Sequence, residues 1–140
     1  MTGRFRSRRV AFALAAILVI GLGLTTRLPG LNWPPMVAKY LGSFLWGAMV
    51  FCVAGFVRPR WRIGHLALAA SCIAVAVELS QLWHTPWLDS FRQTRLGVLL
   101  IGRFFAWADI LAYLAGIVTA ASLDGFQSWL GDRIRRASHI

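Results

Sequence analysis

Four long apolar runs divide the chain, each bounded by arginine, proline or a polar break. The first covers 10–26, follows the basic cluster Arg4, Arg6, Arg8 and Arg9, and stops at Arg27. The second covers 40–57, after a connection in which Pro29, Gly30, Pro34 and Pro35 mark a turn region, and it closes on Arg58, Arg60 and Arg62. The third covers 63–83 and the fourth 104–123. A helix needs about 20 apolar residues to cross hydrocarbon. The pattern therefore predicts an all-α polytopic membrane protein, a bundle of four transmembrane helices.

The stretch between the third and fourth runs, 84–97, is the most polar in the chain, and the apolar piece that follows, 98–102, is too short to span. Thr85 suits an N-cap, Pro86 a first helical position, and Asp89 the positive end of a helix dipole. A short interfacial helix is expected there, with Trp87, Leu88 and Phe91 turned to lipid or protein. Residues 124–140 read as a basic tail on a cytoplasmic surface, and 1–140 as a single membrane domain. A basic start before an apolar run also describes a secretory signal. The first run is long for a signal core and no small-x-small site follows it, so an uncleaved anchor is expected.

Composition agrees with this pattern. Hydrophobic residues make up 58% of the 140 and charged residues 14%, against about 25% charged in soluble domains; mean hydropathy is +0.63. A disordered tail, disulfide scaffold, Rossmann enzyme or zinc finger is thereby excluded. The net charge of +10 would suit nucleic acid, but the basic residues fall in clusters between apolar runs, where they read as an orientation code. With both termini cytoplasmic, ten of the 15 Lys and Arg lie inside: those at 4, 6, 8, 9, 58, 60, 62, 133, 135 and 136. The remaining five, Arg27, Lys39, Arg92, Arg95 and Arg103, lie outside. The expected location is a bacterial inner membrane, and no nucleic-acid partner is expected. Cys52 and Cys72 lie within apolar runs and read as small buried hydrophobes. No metal site and no cofactor is expected.

The informative residues are the ionisable ones inside the spans. A carboxylate near the middle of a spanning helix costs about 2.5–3.5 kcal/mol on insertion scales, so it faces a partner, a cavity or a pathway. Glu78 and Asp109 are the two candidates. Gln81 shares the face of Glu78, and that face continues inward through Ala74, Ser71, Ala70 and Ala67, small enough for another helix to approach. Asp109, Tyr113, Gly116 and Ala120 form a matching stripe on the fourth span. Opposite span directions bring Glu78 and Asp109 to similar depth near the outer surface, where neighbouring carboxylates would repel. Relief is expected from Arg92, Arg95 or Arg103. The result is a polar pocket open to the outer face, built from Glu78, Gln81, Asp109, Tyr113 and at least one of these arginines; the bland alternative is structural glue between helices. His84 reads as a loop residue before a proton shuttle. Trp33, Trp61, Trp83 and Trp87 suit interfacial belts, while Trp46 and Trp107 either wall the pocket or pack in the core.

The run 78–84 (ELSQLWH), then Pro86-Trp87-Leu88-Asp89, Arg92, Thr94, Leu96-Gly97, Gly102, Phe105, Asp109 and Tyr113-Leu114-Ala115-Gly116, resembles a bacterial family of small membrane proteins known only as a domain of unknown function. The likeness extends over about residues 10–123. The sequence also resembles the VanZ-like family, in which a Glu-x-x-Gln helix precedes an arginine-containing outer loop and a helix with Asp and Gly. The VanZ-like resemblance implies a role at the cell envelope connected with sensitivity to glycopeptide antibiotics of the teicoplanin type. By position it points to Glu78, Gln81, Arg92 and Asp109. One departure stands out: after Gly42 the first family is expected to carry an acid, and this chain has Ser43.

These observations support a non-enzymatic protein that binds a membrane lipid or a lipid-linked envelope precursor, with Arg92 or Arg95 holding a phosphate. A small proton-coupled transporter and an assembly or regulatory subunit bound to a membrane protein partner are the alternatives. Small multidrug exporters carry a glutamate in the first span, and here 10–26 has no acid. An enzyme is disfavoured, since no nucleophile motif, metal cluster or glycine-rich phosphate loop appears.

Overall fold

The computed structural model describes residues 2–28, 30, 32–101 and 105–137. Every regular element among them is a helix: α1 (Thr2–Thr25), α2 (Pro35–Val57), α3 (Ile63–Ser80), α4 (Pro86–Gln93), α5 (Arg95–Leu100) and α6 (Trp107–Ala137). Four of these, α1, α2, α3 and α6, are long and apolar enough to cross a membrane. Of the expected features, Pro29, Gly102, Arg103, Phe104 and His139 lie outside the described residues, as do the side chains of Arg4, Asp132 and Arg135.

Several boundaries move, each for a local reason. The second helix starts at Pro35 rather than 40, because a proline at the first helical position has no backbone N–H to leave unpaired. The third ends at Ser80 rather than 83: Gln81, Leu82 and Trp83 donate their N–H groups three residues back, to Glu78, Leu79 and Ser80, in a tightened last turn. The fourth does not stop at 123. It continues to Ala137, so most of the expected tail is an extension of α6. Asp124, Gln127 and Ser128 mark a change of polarity along one helix rather than its end. Of the piece 98–102, residues 98–100 supply the end of α5, a second short helix that periodicity did not separate from its surroundings. Thr94 caps it by accepting from the Gly97 N–H at 3.0 Å.

The interfacial helix begins at Pro86 as expected, but Thr85 does not cap it with its side chain. Its hydroxyl is buried and has no partner among the described residues. The entry turn is instead held by Asp89, whose N–H donates to the Thr85 carbonyl at 2.9 Å, and whose carboxylate contacts His84 at 3.3 Å and Arg92 at 3.1 Å.

The central helix is α2, packed against α1, α3 and α6. Chain direction makes α2 and α6 parallel neighbours, with α3 antiparallel to both. Their spacing is set by two glycines. A Cβ on Gly47 would fall on the backbone of Tyr113, and one on Gly116 on the Phe44 carbonyl. The core beneath this contact holds Phe51, Leu66, Ala70, Ala74 and Ile117, with Tyr113 at its upper edge. Ala70 and Ala74 are fully buried and Ala67 partly so, which is the small-residue face expected of α3.

At the end of the bundle nearest the chain termini, Arg8 ties three segments together. It donates to the Pro59 and Trp61 carbonyls at 2.9 and 3.1 Å and pairs with Asp124 at 2.7 Å. Phe12 seats edge-on against Phe51 with ring centroids 6.1 Å apart. Trp61 is exposed at this end, and Trp33, Trp83 and Trp87 are exposed in the connections at the other, where interfacial belts would lie.

Because the α2–α6 approach leaves no room for side chains, Gly116→Val and Gly47→Leu are each expected to destabilise the bundle by at least the overpacking cost, about 1–3 kcal/mol. Thermal unfolding of the purified protein should show a clear fall in midpoint for both. Gly64→Ala, where a Cβ meets nothing within 4 Å, should shift it little; equal stability of all three would contradict the packing.

Candidate functional site

Glu78 lies near the end of α3, fully buried. Its carboxylate accepts from the Ala106 backbone N–H at 2.7 Å, from the Tyr113 hydroxyl at 3.0 Å and from Gln81 Nε2 at 3.3 Å. The spacing that places Gln81 three residues on puts the amide over the same face. Tyr113 reaches across from α6, and Ala106 stands just before that helix begins. Gln81 Nε2 also donates to the Ile101 carbonyl, so this side chain joins α3 to the connection leading into α6.

Asp109 occupies the first turn of α6, where a negative charge suits the helix dipole. Its carboxylate, 5% exposed, accepts from the Ser43 hydroxyl at 3.1 Å and pairs with the Lys39 ammonium at 3.4 Å. Lys39 and Ser43 are one helical turn apart on α2, and Gly47 is the next residue on that stripe. The close α2–α6 approach at Gly47 is what brings the stripe within reach of Asp109.

The four polar residues expected from the spans, Glu78, Gln81, Asp109 and Tyr113, are therefore gathered at one end of the bundle. The arginines are placed otherwise. Arg92 is buried at 3% exposure, but its guanidinium donates to the carbonyls of Ser80 and Trp83 and pairs with Asp89. It clamps α4 onto the end of α3, sharing the Ser80 carbonyl with the Trp83 N–H and taking the Trp83 carbonyl of the tightened turn that follows. Arg95 is exposed on α5, and Arg103 lies outside the described residues. The cation beside Asp109 is Lys39, which sequence reasoning had only counted toward orientation. Its signal was its place one turn before Ser43 and two before Gly47.

A cavity of about 650 Å³ opens beside these groups. Its polar lining includes Lys39, Ser43, Gln81, Asp109 and Tyr113, with Arg27 among the lining residues; aliphatic residues of α1 and α5, among them Val19, Leu24, Val98 and Leu100, complete it. Trp46 also lines it and packs on Tyr113 with ring centroids 4.9 Å apart. Trp107, the other expected wall, is 72% exposed and lies against Phe105 instead. Its position at the start of α6 turns it away from the cavity. His84 is exposed, beside Asp89.

Fold and site together define a small polytopic helical membrane protein with a polar cluster at one end of its spans and an aliphatic cavity beside it. The chain belongs to the DUF2809 family, described as a protein of unknown function, whose family model matches residues 33–117. That stretch contains Lys39, Ser43, Glu78, Gln81, Arg92, Asp109 and Tyr113, and omits α1. No solved structure matches the chain.

Glu78→Ala would take their acceptor from the Tyr113 hydroxyl and the Ala106 N–H and leave Gln81 Nε2 with the Ile101 carbonyl alone, and each stranded buried group costs about 1–3 kcal/mol. A marked fall in thermal midpoint is expected, with Glu78→Gln, which keeps one acceptor oxygen, falling less. Arg92→Met should loosen the connection without dismantling the spans. Hydrogen exchange should then speed up over 81–94 while the middle of α2 stays protected; unchanged exchange over 81–94 would count against the clamp.

Proposed function

We propose that this protein sits in a bacterial inner membrane with both termini in the cytoplasm and that its cavity opens near the outer surface, where it holds an anionic membrane lipid or a lipid-linked envelope molecule. The observation that carries the reading is the pairing of chemistries in one cavity: aliphatic walls from α1 and α5, and a Lys39 side chain, 47% exposed, whose ammonium lies beside Asp109. An acyl or prenyl chain suits the walls, and a phosphate suits the Lys39 ammonium with Arg27 also on the lining. Cavities of about 300–1,000 Å³ are the usual size for small-molecule ligands.

Arg92 has a smaller part in this reading than the phosphate-holding role expected of it, since its donors face backbone carbonyls and Asp89. Proton-coupled transport is the weaker reading. Below Glu78 the packed residues are Phe51, Leu66, Ala70, Ala74 and Ile117, an apolar floor rather than a path to the opposite face.

Orientation is tested by reporter fusions: a fusion after residue 140 should behave as cytoplasmic and one inserted in 27–34 as external, and the reverse would overturn the placement. Ligand class is tested by native mass spectrometry of the protein from mixed-lipid vesicles. Anionic lipids should be retained over phosphatidylcholine, and Lys39→Met should weaken that retention roughly five- to tenfold. Equal retention of anionic and zwitterionic lipids by the unaltered protein would sink the reading.

A further inference from the structure

A second cavity, of about 1200 Å³, shares only Val19 and Leu45 with the lining of the first. It exists because α1 and α6 both pack on α2 and not on each other: among the described residues no Cα of α1 comes within 8 Å of one of α6. The result is a groove. Its floor is α2, where Ala48, Phe51 and Cys52 are buried, and its walls are α1 and α6, where Leu14, Leu18 and Leu123 are exposed.

Arg8 joins the two walls at one place, its guanidinium reaching Asp124 at 2.7 Å. Polarity changes at that bridge. Toward the chain termini the lining is Ser7, Gln127 and Ser128; in the other direction it is apolar from Ala11 to Leu22 along α1, apart from Thr119, whose hydroxyl donates back to the Ala115 carbonyl of its own helix. The apolar stretch is roughly 16 Å long at about 1.5 Å per residue, and one leaflet of hydrocarbon is about 15 Å deep, half of the core. Arg8 and Asp124 offset each other. The charged residue left on the lining is Arg62, which is exposed and whose side chain has no partner among the described residues. Basic pockets between spans are where anionic headgroups bind.

A groove facing hydrocarbon is filled by a lipid tail or by another helix. A spanning helix, about 10–12 Å across, would have to pass the Arg8–Asp124 bridge on its way out of the bilayer. An acyl chain meets no such obstacle, because it ends in a headgroup at that level.

We infer that this groove is a second lipid site, for an anionic phospholipid of the leaflet on the side of the chain termini. One acyl chain lies on α2 between α1 and α6, and the phosphate sits at Arg62. The site is separate from the cavity at Lys39 and does not depend on what that cavity holds.

The test titrates the full-length protein with phosphatidylglycerol and, separately, with phosphatidylcholine of the same acyl chains, read by native mass spectrometry. In a Lys39→Met background, which removes the cation of the first cavity, one phosphatidylglycerol should still be retained over phosphatidylcholine. Adding Arg62→Gln should weaken that molecule roughly five- to tenfold. Adding Ala11→Trp, which sets a ring in the groove from an exposed position, should expel it; Thr119→Trp does the same from the α6 wall, and thermal midpoints confirm that the variants fold. A phosphatidylglycerol with a diazirine in its acyl chain should label residues 44–52, and Ala11→Trp should remove that label.

Retention lost with Lys39→Met, and unmoved by Arg62→Gln and Ala11→Trp, overturns the groove site and leaves the reading of the first cavity standing. The converse leaves the groove site standing and overturns the other. Equal retention of both lipids by every variant means annular lipid only and overturns both. A dimer in the mass spectrum that Ala11→Trp dissociates makes a second copy the occupant and overturns the lipid assignment.

Discussion

Everything at the polar end of this bundle depends on satisfying the Glu78 carboxylate away from water. A carboxylate inside a span costs about 2.5–3.5 kcal/mol on insertion scales, while a hydrogen bond to a charged group returns about 1.5–3 kcal/mol. One bond would leave the balance in doubt; three donors close it. The donors come from three places: Gln81 beyond the end of α3, Ala106 before α6, and Tyr113 one turn and a half into α6. Burying this single group therefore fixes how α3 meets α6 and where the connection between them returns to the bundle. Arg92 completes that task from the outside by holding α4 to the carbonyls of Ser80 and Trp83.

Close approach of α2 and α6 is the second condition, and it is steric. Lipid tails are as apolar as leucine, so helices in a bilayer associate through packing and interhelical hydrogen bonds. Gly47 and Gly116 remove the side chains that would hold the two backbones apart. Since the helices are parallel, the register at Gly47 and Tyr113 carries one turn up to Ser43 and Asp109, where the hydroxyl meets the carboxylate. An acid at position 43, expected from the resemblance, would face Asp109 across this contact. Serine gives a neutral donor there and leaves Lys39 as the counter-ion. The second carboxylate is thus balanced by a lysine on its neighbouring span, and the loop arginines are not required for it.

The four spans and the carboxylate cluster were legible in the sequence because both follow from the bilayer. Hydrocarbon demands long apolar runs, and it makes Glu78, Gln81, Asp109 and Tyr113 conspicuous by their cost. Helical spacing then gave the faces, including the alanines of α3. What periodicity could not give was the pairing between spans. Lys39 sits near a helix end, where a cation has ordinary uses in orientation, and only the register between α2 and α6 shows it beside Asp109. Arg92 looked like a phosphate ligand for the complementary reason: nothing in the sequence shows that α3 tightens its last turn and presents two carbonyls to it. The end of α6 was misplaced because polarity changes at Asp124, whereas helix geometry persists wherever no proline or cap interrupts it.

The first helix has a different standing from the rest. It lies outside the stretch matched by the DUF2809 family, packs on α2, and exposes Leu14, Ile17 and Leu18 at more than 60% of their surface. Its fixed point is at the terminal end, where Arg8 bonds the 58–62 connection and Asp124. Toward the cavity it offers Val19, Ile20, Gly23 and Leu24, which supply shape and no hydrogen bonds. The division of labour follows: residues within 33–117 supply the inner polar contacts of the cavity, and α1 supplies an aliphatic wall that needs only to be apolar and correctly spaced. Directional groups on α2, α3 and α6 set the geometry of the polar side, because a carboxylate, an amide and a hydroxyl each impose angles on their partners. Aliphatic contact decides only how much apolar surface accompanies it.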